Sequence, residues 1–290
     1  MISGIIIKGI GGFYYVDIGD RVIECRARGL FRLKNIKPMV GDFVEIEIED
    51  KTDQGFIINI KERKSVMIRP EVANVEQVII VIAAKDPEVN MLLLQKILVY
   101  AEYIDLNIVI CINKIDLDLE GEYESIIEML KSVPYNVLKT SATQKYGIDD
   151  LAKILFNKVS VFAGPSGVGK SSLLNAISPD LRLKTGLVSD KTKRGTHTTR
   201  HTELMKLKLG GMIVDTPGFS SFDMIKMEVD ELKFYYPEFK NYSNCRFLSC
   251  VHDKEPDCKV KDAVLKGYIH KDRYDSYIQI LNELREVRRY

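Results

Sequence analysis

The sequence predicts a multidomain α/β chain: a small N-terminal β-barrel, a central parallel α/β nucleotide-binding domain, and a mostly helical C-terminal domain built on a metal cluster. Three observations carry this reading. Residues 1–69 hold short stretches with the period-2 alternation of strands. Residues 70–222 alternate continuous apolar runs with helical spacing and contain two nucleotide-reading motifs. Residues 223–290 gather three of the five cysteines beside a histidine and then close on a helical stripe.

The first domain reads as five short strands. Val44, Ile46 and Ile48 alternate with Glu45, Glu47 and Glu49. Ile5–Ile10, Tyr14–Ile18, Val22–Cys25 and Phe56–Ile60 are the other candidates, with Gly11-Gly12 and Gly19-Asp20 as turns. Such a set suits an OB-fold, a frequent nucleic-acid binder. No acid stands between Cys25 and Gly41, while Arg26, Arg28, Arg32, Lys34 and Lys37 accumulate around Phe31. A basic loop with an aromatic matches a phosphate backbone and an unstacked base. A merely solvated loop has the same composition.

Pro70 marks the expected hinge into the second domain. Val78–Ala84, Asn107–Ile112 and Val159–Ala163 are apolar runs of the kind buried on both faces of a parallel sheet. Met91, Leu94, Ile97 and Leu98 recur at helical spacing between the first two. Val159–Ala163 feeds Gly164-Pro165-Ser166-Gly167-Val168-Gly169-Lys170-Ser171, a complete phosphate loop, with Ser172–Ile177 opening a helix behind it. Its glycines let backbone N–H groups face phosphate oxygens, Lys170 reaches the β- and γ-phosphates, and Ser171 is placed to ligate Mg²⁺.

Base specificity is written elsewhere in the domain. Asn113-Lys114-Ile115-Asp116 is the guanine-reading NKxD motif, and Ser141-Ala142 follows as an SA element. The Asp116 carboxylate can accept from N1–H and the 2-amino group of guanine, which adenine does not offer. Asp215-Thr216-Pro217-Gly218 supplies a D-x-x-G element, with Asp215 toward magnesium and the Gly218 N–H toward the γ-phosphate. GTP with Mg²⁺ is therefore the expected ligand. The usual GTPase order is phosphate loop, switch, D-x-x-G, NKxD, SA; here NKxD and SA come first. The parts are complete but circularly permuted, as tolerated where termini lie close together.

Phe219 stands where many GTPases carry a water-orienting glutamine, and an apolar side chain cannot orient water. His197 is the candidate substitute; a surface-loop histidine is the other reading. Thr198 or Thr199 would be the switch threonine on Mg²⁺ and γ-phosphate, and spacing does not choose between them.

In the third domain, Cys245, Cys250, His252 and Cys258 form C-x₄-C-x-H-x₅-C. Three thiolates and an imidazole make a closed structural Zn²⁺ set. Cys25 and Cys111 lie in apolar strands and are expected to be buried. Tyr274, Tyr277, Ile278, Leu281 and Leu284 share one helical face, expected to be packing.

Composition narrows the rest. A length of 290 residues, 46% hydrophobic and 29% charged, suits two or three globular domains. Net charge is +1, so any nucleic-acid footprint must be local. No run approaches about 18 uncharged apolar residues, and the N-terminus lacks a signal-peptide pattern. A cytoplasmic monomer without a membrane partner is expected, and the cysteine usage fits a reducing compartment. A small-molecule kinase would need neither NKxD nor SA. A non-catalytic RNA-binding protein would not need Lys170, Ser171 and Asp215.

The barrel, the motif order, Gly164–Ser172, His197-Thr198-Thr199, Asp215–Phe219 and the four metal positions together resemble the ribosome small-subunit-dependent GTPase A family across essentially the whole chain. The resemblance implies a cytoplasmic GTPase that binds the 30S ribosomal subunit and its 16S rRNA, is activated by it, and acts late in its maturation. It also implies the catalytic-histidine role for His197.

Overall fold

The computed structural model describes residues 1–29, 31, 36–49, 54–68, 70–183, 202–215 and 227–287. Strands β1 (Ile2–Ile10), β2 (Phe13–Asp17), β3 (Val22–Ala27), β4 (Phe43–Ile48) and β5 (Gly55–Ile60) run in the order β1-β2-β3-β5-β4. β4 then pairs back onto β1, Ile2 to Ile46 and Ile5 to Phe43, so the sheet closes as an OB-type barrel. The alternation drives this closure: Ile6, Val16, Ile23, Val44, Ile46 and Ile57 are buried inside it. Phe31 departs from expectation. It is 7% exposed and packs into the core, so it offers no surface to a base. The basic loop is also partly neutralised, because Arg28 pairs with Glu47 and Lys37 with Glu71. Arg32 and Lys34 lie outside the described residues.

Pro70 does not sit in a plain linker. Two-residue strands β6 (Val66–Met67) and β7 (Val72–Ala73) pair around it as a short hairpin. Next come β8 (Gln77–Ala83), α1 (Met91–Tyr103), β9 (Asn107–Asn113), α2 (Glu124–Leu130), β10 (Asn136–Lys139), α3 (Ile148–Leu155), β11 (Val159–Ala163) and α4 (Lys170–Ile177). β12 (Glu203–Lys206) and β13 (Met212–Asp215) follow. β10, β9, β8, β11 and β13 lie side by side in parallel, and β12 is antiparallel to β13.

Every residue of β8 is buried, which explains the unbroken apolar run Val78–Ala83. Val78, Ile80 and Ile82 face the core containing Leu94 and Ile97 of α1 and Met129 of α2. Ile79, Val81 and Ala83 face Leu151 of α3 and Leu173 of α4. The Asn90 side chain starts α1 by accepting the Leu93 N–H at 3.0 Å. The chain steps outward through β8, β9 and β10, then returns to the far side of β8 as β11. That reversal opens a crevice beyond the C-terminal ends of β8 and β11, where open α/β sheets bind ligands.

The barrel joins this sheet edgewise. Lys8 of β1 pairs with Glu203 of β12, and their side chains meet at 2.8 Å. Lys206 of β12 reaches the buried Asp17 carboxylate of β2 at 2.6 Å.

Residues 227–287 form short turns, then α5 (Lys259–Leu265) and α6 (Lys271–Val287). Tyr277, Ile280, Leu281 and Leu284 of α6 pack against Tyr236 and Phe239. Arg273 is buried among them, 1% exposed. It donates to Glu238 through Nε at 2.6 Å and Nη2 at 2.8 Å, and through Nη1 to Gln95 of α1. This ties the C-terminal region to the nucleotide-binding sheet. Among the described residues no helix is long and apolar enough to cross a membrane.

Candidate active site and metal cluster

The phosphate loop wraps from β11 to α4 where the sheet reverses. Gly164 has φ +131 and sits against β8; a Cβ there would lie 2.1 Å from the Val81 carbonyl oxygen. Only glycine fits so close to a neighbouring strand. Lys170 opens α4 and folds back over the loop, donating to the carbonyl oxygens of Gly164 and Pro165, both at 2.8 Å. Burial lowers its pKa, so a phosphate would meet a partly desolvated ammonium. Ser171 and Ser172 follow on the first turn, half-buried, and Val168 is buried beneath.

The two motifs, 51 positions apart by the numbering of Asn113 and Gly164, share one site. Asn113 is buried at the end of β9 and donates from Nδ2 to the Val168 carbonyl of the phosphate loop at 2.8 Å. Gly169 makes room for it: a Cβ there would stand 2.3 Å from that Nδ2. Thr140 orients the amide, its hydroxyl donating to Asn113 Oδ1 at 3.2 Å. The base-reading loop is thus locked to the phosphate-reading loop before any ligand arrives.

Lys114 has a left-handed backbone, φ +62, and its ammonium donates to the Asp86 carbonyl oxygen. Asp116 follows in a single 3₁₀ turn. Its carboxyl is held below the usual carboxylate range, first by the Ser141 hydroxyl, then by its own backbone N–H, the Thr143 hydroxyl and the Lys114 charge. Thr143 donates to Asp116 Oδ2 at 3.1 Å. Ser141 is buried and Ala142 half-buried at the start of a tight loop. Asp215 ends β13, paired across the ladder with Glu203. Gly218, His197, Thr198 and Thr199 lie outside the described residues.

The structure therefore brings together Asn113, Lys114, Asp116, Ser141, Ala142 and the loop Gly164–Ser172. Sequence reasoning missed the Asn113–Val168 bond and the roles of Thr140 and Thr143. A hydroxyl two residues beyond the SA serine was the only signal available for Thr143.

The second site lies in the C-terminal region. The ligand atoms of Cys245, Cys250, His252 and Cys258 all fall within 4.8 Å of one another, and the cluster can hold a metal ion. Its frame is braced from outside. Tyr274 donates to the His252 carbonyl oxygen at 2.7 Å and Tyr277 to that of Val251 at 2.6 Å. Glu255 accepts the N–H groups of Val251 and Asp253 at 2.8 and 2.9 Å. The tyrosine stripe of α6 thus orients the knuckle as well as packing the core. Cys25 and Cys111 are buried, as expected from their strands.

Comparison with known proteins agrees with this geometry. The family model for the RsgA GTPase matches residues 60–225, and that for the RsgA N-terminal domain matches residues 3–57. The chain belongs to the RsgA GTPase family. It is 46% identical over 290 residues to the small ribosomal subunit biogenesis GTPase RsgA of Clostridium botulinum strain 657, covering 99% of each chain. It is 47% identical over 292 residues to the protein of that name from Caldanaerobacter subterraneus, covering 100% of this chain and 98% of the relative. The crystal structure of YjeQ from Thermotoga maritima superposes with a TM-score of 0.84 at 40% identity, covering 98% of each chain. That of YloQ, a circularly permuted GTPase, gives 0.82 at 39% identity, covering 99% of this chain and 96% of the other. As an RsgA GTPase the chain is a GTP hydrolase of circularly permuted fold.

Proposed function

We propose that this RsgA GTPase hydrolyses GTP to GDP and phosphate on the small (30S) ribosomal subunit, contacts its 16S rRNA, and assists its late maturation, with turnover stimulated by the ribosome. The observation that carries the nucleotide half is the Asn113–Val168 hydrogen bond, which makes one pocket of two motifs. Asp116 reads guanine, with Asn113, Lys114, Ser141 and Ala142 around the base. Residues Gly164–Ser172 hold the phosphates, and Lys170 stabilises charge on the transferred group. Ser171 and Asp215 hold Mg²⁺, which neutralises charge on the phosphates. Gly218, Thr198 or Thr199, and His197 complete the site; His197 orients the attacking water. The ribosomal half rests on the relatives, which are named small ribosomal subunit biogenesis GTPases.

The metal is Zn²⁺ in a structural role. A tetrahedral ion with bonds of about 2.3 Å to sulfur and about 2.0 Å to nitrogen spaces S···N pairs roughly 3.5 Å and S···S pairs roughly 3.8 Å apart. The three thiols stand 3.6, 3.4 and 3.3 Å from His252 Nδ1, and Cys245 and Cys258 lie 3.8 Å apart. All four positions are protein, so no place remains for reactive water.

The working division is a barrel for RNA at residues 1–69, the GTPase at 70–222 and the zinc-binding region at 223–290, acting as a monomer in the cytoplasm. Neutralising Arg28, Arg32 and Lys34 tests the RNA assignment by co-sedimentation with purified 30S subunits. Affinity should fall, and the salt dependence should flatten by roughly two to three counterions. An equal affinity with an equal salt slope would return that loop to solvent.

A further inference from the structure

The guanine-reading motif ends, by residue type, at Ser141-Ala142, yet Asp116 takes a second hydroxyl, beside that of Ser141, from the next residue. Thr143 Oγ1 lies 3.1 Å from Asp116 Oδ2 and 3.0 Å from Ser141 Oγ. The Gln144 N–H donates to Ser141 Oγ at 3.1 Å. An ionised carboxylate can only accept, so Thr143 must donate its single proton to Asp116. Ser141 Oγ accepts from the Gln144 N–H and stands against both Thr143 and Asp116. Two neighbouring hydroxyls thus converge on one carboxylate, and Thr143 is the one on Oδ2.

The loop that carries these hydroxyls is stiff. Ser141 and Tyr146 exchange both backbone hydrogen bonds, each at 3.0 Å, and close residues 142–145 into a tight turn. Gly147 seats it, because a Cβ there would stand 2.2 Å from the Lys139 carbonyl oxygen. Behind it, Thr140 anchors the strand end to Asn113. Thr143 is exposed, so no packing in the structure accounts for its orientation toward Asp116.

We propose that Thr143 is a positioning residue for guanine specificity, holding the Asp116 carboxylate at the angle that presents both oxygens to N1–H and the 2-amino group. The proposal rests on Asp116 as the guanine reader. A carboxylate offers about four lone-pair sites, of which the base needs one on each oxygen. The hydroxyls of Ser141 and Thr143 take two of these sites and leave two for the base. The terminal torsion of an aspartate is soft, and a carboxylate that loses one lateral partner must be ordered further when the base arrives. The cost falls most heavily on two-point recognition. Guanine uses both oxygens; hypoxanthine, lacking the 2-amino group, uses one.

The test compares Thr143→Val, which keeps shape and removes the hydroxyl, with Thr143→Ser, which restores it. Dissociation constants are measured for GTP and inosine triphosphate on the full chain, with melting temperatures alongside. Thr143→Val should weaken GTP by about 3- to 10-fold and inosine triphosphate less, so the preference for GTP narrows, and Thr143→Ser should recover it. An unchanged preference in Thr143→Val overturns the proposal, whether both affinities hold or both fall together. Failure of Thr143→Ser to restore the preference overturns it as well. Asp116→Ala separates the two readings: if it leaves the preference for GTP intact, Asp116 is not the reader. If it abolishes that preference while Thr143→Val behaves as wild type, only the role of Thr143 falls.

Discussion

Asn113 shows how one amide can define a site. Its Nδ2 holds the phosphate loop through Val168, and its Oδ1 is held by Thr140. In the proposed function Asp116 reads guanine from a frame that these bonds already brace. Asp116→Asn replaces an acceptor with a donor against N1–H and the 2-amino group. GTP affinity should drop by roughly 100-fold, while xanthosine triphosphate, which places an oxygen at that position, should gain. Fluorescent-nucleotide titration reads both, and an unchanged GTP affinity would contradict the assignment. His197 is the other residue to which the proposed function gives a chemical role. Phe219 cannot bond a water, so a second group must orient it. His197→Ala should keep GTP affinity and GTP-dependent 30S binding yet lose roughly 100-fold or more of ribosome-stimulated turnover in single-turnover assays. Wild-type turnover in that variant would move the role elsewhere, His201 or ribosomal RNA being the candidates.

Among the elements, legibility followed burial. β8, β9 and β11 were readable because a strand covered on both faces is mostly apolar, here broken only by Gln77, Asn107, Asn113 and Ser160. The hairpin of β6 and β7 was not, since two residues per strand carry no period. Phe31 misled because aromatic-plus-basic composition does not say which way a ring points; packing against the barrel core decided it. The metal positions were legible because ligand chemistry restricts residue type more sharply than packing does. The knuckle is also the element that a bound metal would hold together. Cys250→Ala should release the metal and abolish hydrogen-exchange protection across residues 240–260, because metal binding and local folding are one equilibrium. GTP affinity should stay at the wild-type level, as among the described residues no hydrogen bond joins the four metal positions to the nucleotide loops. Metal analysis finding no zinc in the purified chain would contradict the identity of the ion.

Across the whole molecule, the GTPase sheet is gripped from two sides. The barrel reaches β12 through Lys8–Glu203 and Asp17–Lys206. The C-terminal region reaches α1 through the buried Arg273, which also holds Glu238. Sequence reading places arginines on surfaces, so a guanidinium with partners 35 and 178 residues away was not legible. Both attachments matter to the central claim that hydrolysis belongs to the ribosome-bound state. Phosphoryl transfer depends on positioned groups, and a site lacking the usual glutamine turns over slowly until something completes it. The direct measurement is the rate of phosphate release from GTP by the full chain, alone and with purified 30S subunits, with ATP as the competing nucleotide. Slow intrinsic turnover, strong stimulation by 30S and no competition by ATP are predicted. A rate indifferent to 30S subunits, or one that ATP suppresses, would contradict it.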